Sequence, residues 1–316
     1  MPFQILAYIK GLLSVAERAT CVALSRLIAE FSHDGLTRIL KNPRFEWQIL
    51  LQNLILRIFG KLQDGFLIID DTVIDKSFAK LIEYISWVYC SKKGRVILGL
   101  SVVVLAWSNG RITIPLAIRI WKKGSGKSKY DLALELLKYA KNFLLLKPKY
   151  VTFDTWYASK KILRKIDKYG WTFITRIKRN RKFNDIPLKL YKRQPYWIEK
   201  GTIFGNLKVT IVRHGKKYFI TNDLSLSKKE IISLYKGRWM VETLFRFLHS
   251  KLGIDECQAK SIRSQNAHIH LCLMTYLLLQ KEKLLTGKTL YQLKRQYSFK
   301  PEKADLLLTK LKYQGA

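Results

Sequence analysis

Phe66-Leu67-Ile68-Ile69-Asp70-Asp71-Thr72 is a short, unbroken apolar run that stops at two adjacent acids. A run of this length, rich in β-branched and aromatic residues, reads as a strand buried on both faces. A second stretch repeats the form: Tyr150-Val151-Thr152-Phe153 ends at Asp154-Thr155. Between them lie two longer apolar segments, Gly94 to Trp107 and Ile112 to Trp121, joined by Ser108-Asn109-Gly110-Arg111. Asn-Gly between apolar runs predicts a tight hairpin.

Helical spacing predicts helices from about Tyr130 to Leu145 and from about Ala158 to Lys168, on either side of the 150–153 strand. Gly170 ends the second, and Trp171 to Arg176 reads as a fifth strand. The order β-β-β-α-β-α-β, with acids closing the first and fourth strands, predicts an α/β protein with an RNase H-like mixed sheet flanked by helices. Residues 1–60 read as an N-terminal helical domain, 61–285 as the sheet domain and 286–316 as a basic helical tail. A β-rich insertion is expected at about 178–225, opening with Lys178-Arg179-Asn180-Arg181-Lys182 and turning at Gly201, Gly205 and Gly215.

Within the N-terminal segment, Ala23 to Glu30, then Phe31-Ser32-His33-Asp34-Gly35, then Leu36 to Leu40 read as helix, break, helix. This fits a helix-turn-helix that would carry Thr37, Arg38 and Lys41 toward DNA, or an ordinary helical hairpin.

The chain of 316 residues holds 58 Lys+Arg against 23 Asp+Glu, a formal net charge of +35. A hydrophobic fraction of 48% excludes a disordered basic tail. So large a charge opposes compaction and calls for a polyanionic partner, nucleic acid first. No segment has the roughly 18 to 20 apolar residues of a membrane span, and Lys10 interrupts the first apolar stretch, so a cytoplasmic, nucleoid-associated protein is expected. Cys21, Cys90, Cys257 and Cys272 have no zinc-ribbon spacing and read as reduced core thiols.

The segment Tyr235-Lys236-Gly237-Arg238-Trp239-Met240-Val241-Glu242 places Tyr235, Arg238 and Glu242 at i, i+3 and i+7, on one face of a continuous helix. A phenol, a guanidinium and a carboxylate on one stripe suit a grip on phosphate beside a metal ion. Phosphoryl transfer on DNA asks for two divalent ions roughly 3.5 to 4 Å apart. A few carboxylates from separate elements hold Mg²⁺ well. Asp70, Asp154 and Glu242 are the candidates, though each of the two aspartates is also an ordinary strand-end residue, and Arg238 could simply pair with Glu242 on a solvated face.

These segments together resemble an insertion-sequence DDE transposase of the group with a Tyr-x2-Arg-x3-Glu-x6-Lys signature. Tyr235, Arg238 and Glu242 match it; His249 stands where the signature has lysine, with Lys251 two residues on. Asp70-Asp71-Thr72, Asp154-Thr155-Trp156-Tyr157, Thr221-Asn222-Asp223 and Lys251-Leu252-Gly253-Ile254 are similar to the group's other segments. The resemblance implies Asp70, Asp154 and Glu242 as catalytic, metal-binding residues for two Mg²⁺ ions, with Mn²⁺ as a substitute. Its Asp-x-Thr pattern selects Asp70, with Asp71 as the alternative. It implies Tyr235, Arg238, His249 and Lys251 on DNA phosphates, joined on the reading of the residues by Arg38, Lys160 and Lys161. It further implies double-stranded DNA as partner (terminal inverted repeats and target), a homodimer in the synaptic complex, and strand cleavage followed by strand transfer. The alternative is a catalytically inactive or co-opted transposase-derived DNA-binding protein; another RNase H-like nuclease is a third class.

Two further motifs are set aside. Gly124-Ser125-Gly126-Lys127-Ser128 lacks the first glycine of a phosphate-binding loop, that position being Trp121, and reads as a basic loop. His268 and His270 lack the helical i, i+4 spacing of a metal pair and read as core or capping residues.

Overall fold

The computed structural model describes residues 1–79, 81–191 and 194–313. The described residues form two compact units: those within 1–61, 73–101 and 243–313 in the first, those within 62–72 and 102–242 in the second. Two strands and one helix pass from one to the other.

The second unit carries the predicted sheet. Strand β1 (Phe66–Asp75) is the first acid-ended run. β2 (Ser86–Cys90) belongs to the first unit; β3 (Arg95–Ser108) and β4 (Thr113–Ile120) come after it. β3 and β4 pair antiparallel from Ser108↔Thr113 outward, closed at Gly110, whose φ of 87° suits glycine. Helix α5 (Lys129–Asn142), β5 (Val151–Phe153), α6 (Lys160–Lys168) and β6 (Phe173–Ile177) follow. β3 lies beside β1 in the strand order, and β1, β5 and β6 run parallel, in register at Ile69↔Phe153↔Thr175. β1 runs on to Asp75, past the strand end expected at Asp70, whereas Asp154 follows the last residue of β5; the two acids lie on adjacent parallel strands, each one residue past the Ile69↔Phe153 pair.

The region after β6 contains β7 (Lys182–Phe183), β8 (Ile186–Pro187), β9 (Tyr196–Ile203), β10 (Leu207–His214) and β11 (Lys217–Thr221). These strands extend the sheet. β11 pairs antiparallel with β6, followed by β10, β9, β7 and β8. Gly205 and Gly215 are turns, but Gly201 lies inside β9 opposite Val209, where its missing Cβ leaves room for the Phe183 ring and Asn184.

Helix α7 (Lys228–Lys236) starts on a capping box of Ser227 and Glu230 and packs on β6 and β11. Helix α8 (Trp239–Lys251) follows after a break at Gly237-Arg238. The expected continuous helix through Tyr235 and Glu242 is thus two helices. Bonds from Gly237 N to Leu234 O, Arg238 N to Tyr235 O and Met240 N to Gly237 O tighten the chain to three-residue spacing there.

The first unit is built around α9 (Ile262–Thr286), buried from Ala267 through Gln280. Helices α1 (Phe3–Ser14), α3 (His33–Lys41), α4 (Trp47–Phe59) and α10 (Leu290–Phe299) pack on it. α11 (Glu302–Tyr313) packs on α1 and α10. Helix α2 is the short segment Cys21–Ser25. The helix expected over 23–30 stops there, and Ser32 caps α3 through Gly35 N, so His33-Asp34-Gly35 is its first turn instead of a break. His268 is buried in this core, its Nδ1 2.9 Å from the Tyr8 hydroxyl and its Nε2 2.9 Å from Gly253 O. No described helix is long and apolar enough to cross a membrane.

Candidate active site

The second unit brings together the carboxylates expected from the sequence. Arg238 is the residue that joins them. Its Nη1 donates to Asp70 Oδ2 at 2.6 Å and its Nη2 to Glu242 Oε1 at 3.1 Å. Arg238 and Asp70 side chains are 15% and 13% exposed, whereas Glu242 is 38% exposed, so the Asp70 contact is the sheltered one.

Asp154 is fixed by its own turn. Its Oδ1 accepts the backbone N–H of Trp156 at 2.8 Å and of Tyr157 at 3.3 Å, folding the strand end back before α6 begins. Asp71 faces elsewhere. Its carboxylate takes the Tyr157 hydroxyl at 2.9 Å and the Lys129 ammonium at 2.6 Å. Alternation along β1 thus separates the two adjacent acids: Asp70 turns to Arg238, and Asp71 ties β1 to α5 and to the turn after β5.

Burial dominates the electrostatics. Desolvation pushes the Asp70 carboxyl up to about 8; Arg238 opposes this, and the charges of Asp154, Asp71 and Glu242 add to it. Burial also raises Asp154, against the two backbone N–H groups and Arg238. Burial raises the Tyr235 phenol, which lies within the fields of Arg238, Arg176 and Asp154, and its ring meets Phe219 edge-on at 5.2 Å.

The break between α7 and α8 is itself held in place. Phe66 and Tyr150 stack at 4.6 Å, the Tyr150 hydroxyl donates to Leu234 O, and Gly237 sits on both rings. A Cβ at Gly237 would lie 2.8 Å from Phe66 Cζ and 2.9 Å from Tyr150 Oη. Glycine here lets the chain approach closely enough for Arg238 to reach Asp70.

Among the described residues no group of three or more His, Cys, Asp or Glu stands ready as a metal cage. The donor chemistry still fits a hard divalent cation: the groups are carboxylates, and Asp70 is held up in pKa by burial and by the like charges of Asp154, Asp71 and Glu242, which a cation would relieve. The Arg238 guanidinium places one positive charge between Asp70 and Glu242.

The remaining expected site residues fall elsewhere. Lys160 and Lys161 are exposed in the first turn of α6, six and seven residues after Asp154. Arg38 is exposed on α3, in the first unit. His249 and Lys251 end α8, also in the first unit. There His249 Nδ1 lies 2.6 Å from Asp255 Oδ2 with its side chain 9% exposed, and Lys251 Nζ lies 5.8 Å from the Tyr291 ring centre. The basic loop 124–128 is exposed, and its Ser128 caps α5 in a box with Asp131.

Three residues in this unit were passed over in the sequence. Arg176 lies on β6 within Tyr235's field, its Nε buried without a hydrogen-bond partner. A guanidinium inside Phe173-Ile174-Thr175-Arg176-Ile177 was the available signal. Lys129 and Tyr130, at the start of α5, gave none, because their partners Asp71 and Trp156 are distant in sequence.

The geometry has counterparts among known proteins. A piggyBac transposase in a synaptic complex with hairpin DNA, solved by cryo-EM, superposes with a TM-score of 0.61 at 13% identity, over 99% of this chain and 73% of that one. At that identity the likeness concerns the fold, an RNase H-like mixed sheet flanked by helices. A putative transposase for insertion sequence element IS4SA from Synechocystis sp. is 27% identical over 130 residues, 38% of this chain and 36% of that relative's length. The family model of the transposase DDE domain matches residues 61–278, from just before β1 into α9. The chain belongs to the DDE-domain transposase family.

Proposed function

We propose that this protein is a DNA transposase that cuts the ends of an insertion sequence and joins them to target DNA. The observation that carries the reading is the Arg238 bridge between Asp70 and Glu242, beside Asp154, at one sheet edge. Asp70, Asp154 and Glu242 would hold two Mg²⁺ ions, with Mn²⁺ as a substitute. When bound, the ions would ease deprotonation of the attacking oxygen and neutralise charge on the leaving one.

The chain's own groups do the rest. Tyr235 and Arg238 grip a backbone phosphate next to the cut, Arg238 exchanging a carboxylate for a phosphate oxygen of the same fork geometry. Arg176 lends a third positive group behind Tyr235. Asp154's turn holds its carboxylate still. Lys160 and Lys161 meet the duplex backbone, and the net charge of +35 supplies long-range attraction. Residues 1–60, with Arg38, and the β-rich segment 178–225 bind the terminal inverted repeats. In the first unit Lys251 offers a further phosphate contact, with His249 just before it held by Asp255, and the exposed Lys288, Arg295, Lys300 and Lys303 add positive charge. Two copies bridge two ends in the synaptic complex, in the nucleoid of the cytoplasm.

Replacing Glu242 with Gln keeps the side chain's shape and removes its charge. Mg²⁺-dependent cleavage of DNA carrying the flanking inverted repeats should fall to background while binding persists in a mobility-shift assay. Cleavage at the parent rate would overturn the assignment.

A further inference from the structure

Trp156, two residues after Asp154, combines rigidity with exposure. Its indole stacks on the Tyr130 ring at 4.2 Å between centres and 4° between planes. Its backbone N–H is bonded to the Asp154 carboxylate itself, so the ring and the carboxylate move together. Tyr157 meets Trp156 edge-on at 4.9 Å and lies 6.3 Å from Tyr130. Those three separations make nearly a right angle at Trp156, which puts Tyr157 along the indole's border and leaves the face opposite Tyr130 clear of it. Consistent with this, Trp156 is 38% exposed while Tyr157 is fully buried. Packing of the turn is thus accomplished by Tyr157, whose hydroxyl is anchored on Asp71. The Lys129 ammonium, held by Asp71, lies over the indole at 5.7 Å from its centre and places a positive charge against the ring.

A flat aromatic surface, pre-stacked from behind, next to a cation and a fixed carboxylate, matches what receives an unpaired base. Every base has a face to stack, so such a surface recognises an unstacked nucleobase without choosing among sequences. We propose that Trp156, backed by Tyr130, is a stacking platform for an unpaired nucleobase of the DNA strand that reaches Asp154. The inference rests on the DNA-processing reading above and adds to it a substrate feature: the strand is unpaired beside the cut, its base continuing the Tyr130–Trp156 stack.

The test measures binding without divalent ions, so that cleavage plays no part. The full chain is titrated against three probes: a blunt duplex, the same duplex with a short single-stranded overhang bearing 2-aminopurine, and that overhang with an abasic site in its place. The unmodified protein should bind the 2-aminopurine overhang about tenfold more tightly than the abasic one and quench its fluorescence. Trp156→Leu, which keeps apolar bulk, should erase both the preference and the quenching while binding the blunt duplex as before. Trp156→Tyr should retain most of both. A Trp156→Leu protein that still prefers and quenches the 2-aminopurine overhang would overturn the platform. So would unmodified protein that binds duplex but treats base and abasic overhangs alike. Failure of the unmodified protein to bind any of the three would overturn the DNA-processing reading as well.

Discussion

The Arg238 guanidinium lies 2.6 Å from the Asp70 carboxylate, and both side chains are largely out of solvent. A sheltered pair of this kind is weak evidence of stability by itself, but removing one partner strands the other. Arg238→Met keeps the stem and deletes the charge. With Asp70 ionised, at pH 9, it should cost about 3 kcal/mol in denaturant unfolding. At pH 6, below the folded Asp70 value of about 8, the carboxyl already carries its proton and the loss should shrink. The double variant Arg238→Met/Asp70→Asn should recover most of the difference at pH 9.

Stability in the absence of divalent ions should itself follow Asp70. Its folded value, about 8, lies above the unfolded value of 3.8, so the folded state holds the proton more tightly. The contribution is complete below about pH 4 and is lost as pH rises through 8. Asp154, raised in the same direction, adds to the slope. Unfolding free energies measured from pH 5 to 9 should therefore decline more steeply for the parent than for Asp70→Asn.

Gly237 is the position where the motif helix divides, and its space is already taken by Phe66 and Tyr150. Gly237→Ala forces those rings or the break itself to move, at about 1–3 kcal/mol. Because Arg238 is the next residue, cleavage should fall along with stability. Thermal melts and single-turnover cleavage would register both losses. An alanine variant with unchanged melting and unchanged rate would show that the close packing is not needed.

Lys160 and Lys161 stand exposed beside the Asp154 turn. If both contact phosphates, Lys160→Ala/Lys161→Ala should weaken binding to all duplexes alike. The slope of log affinity against log salt should fall by about 2. Affinity measured between 50 and 200 mM salt checks this; a change confined to one DNA sequence would point to base contact instead.

Much of the sheet was readable because local pattern determined it. Phe66–Ile69 and Val151–Phe153 are short buried runs followed by acids, although β1 continues beyond Asp70 to Asp75, and Asn109-Gly110 permits little except a hairpin. Strand β2 escaped notice because its residues alternate, with Trp87 and Tyr89 exposed, over a span of only Ser86–Cys90. The segment after residue 178 looked like an insertion, since nothing local announces that Phe219 will pair with Arg176 across the sheet. The helix break at Gly237 hid behind intact 3.6-residue spacing: the cause is two aromatic rings roughly 90 and 170 residues away in the chain, a separation no periodicity records. Asp70 and Asp71 could not be told apart by type. Their partners, Arg238 on one side and Tyr157 with Lys129 on the other, come from distant segments.

Asp70 lies two residues before the second unit's first segment ends at Thr72, and Glu242 is that unit's final residue. Synthesis runs from one to the other, so a nascent chain exposes β1 and β5 well before Arg238 and Glu242 have been made. Through that interval it has the two aspartates but neither the bridging guanidinium nor Glu242, so the proposed centre is incomplete. On the proposed function, premature termination anywhere upstream of residue 242 should yield a product that cannot cut DNA. The proposed cutting activity would thus arrive late in translation, and any event that stalls or shifts the reading frame before that point should silence it.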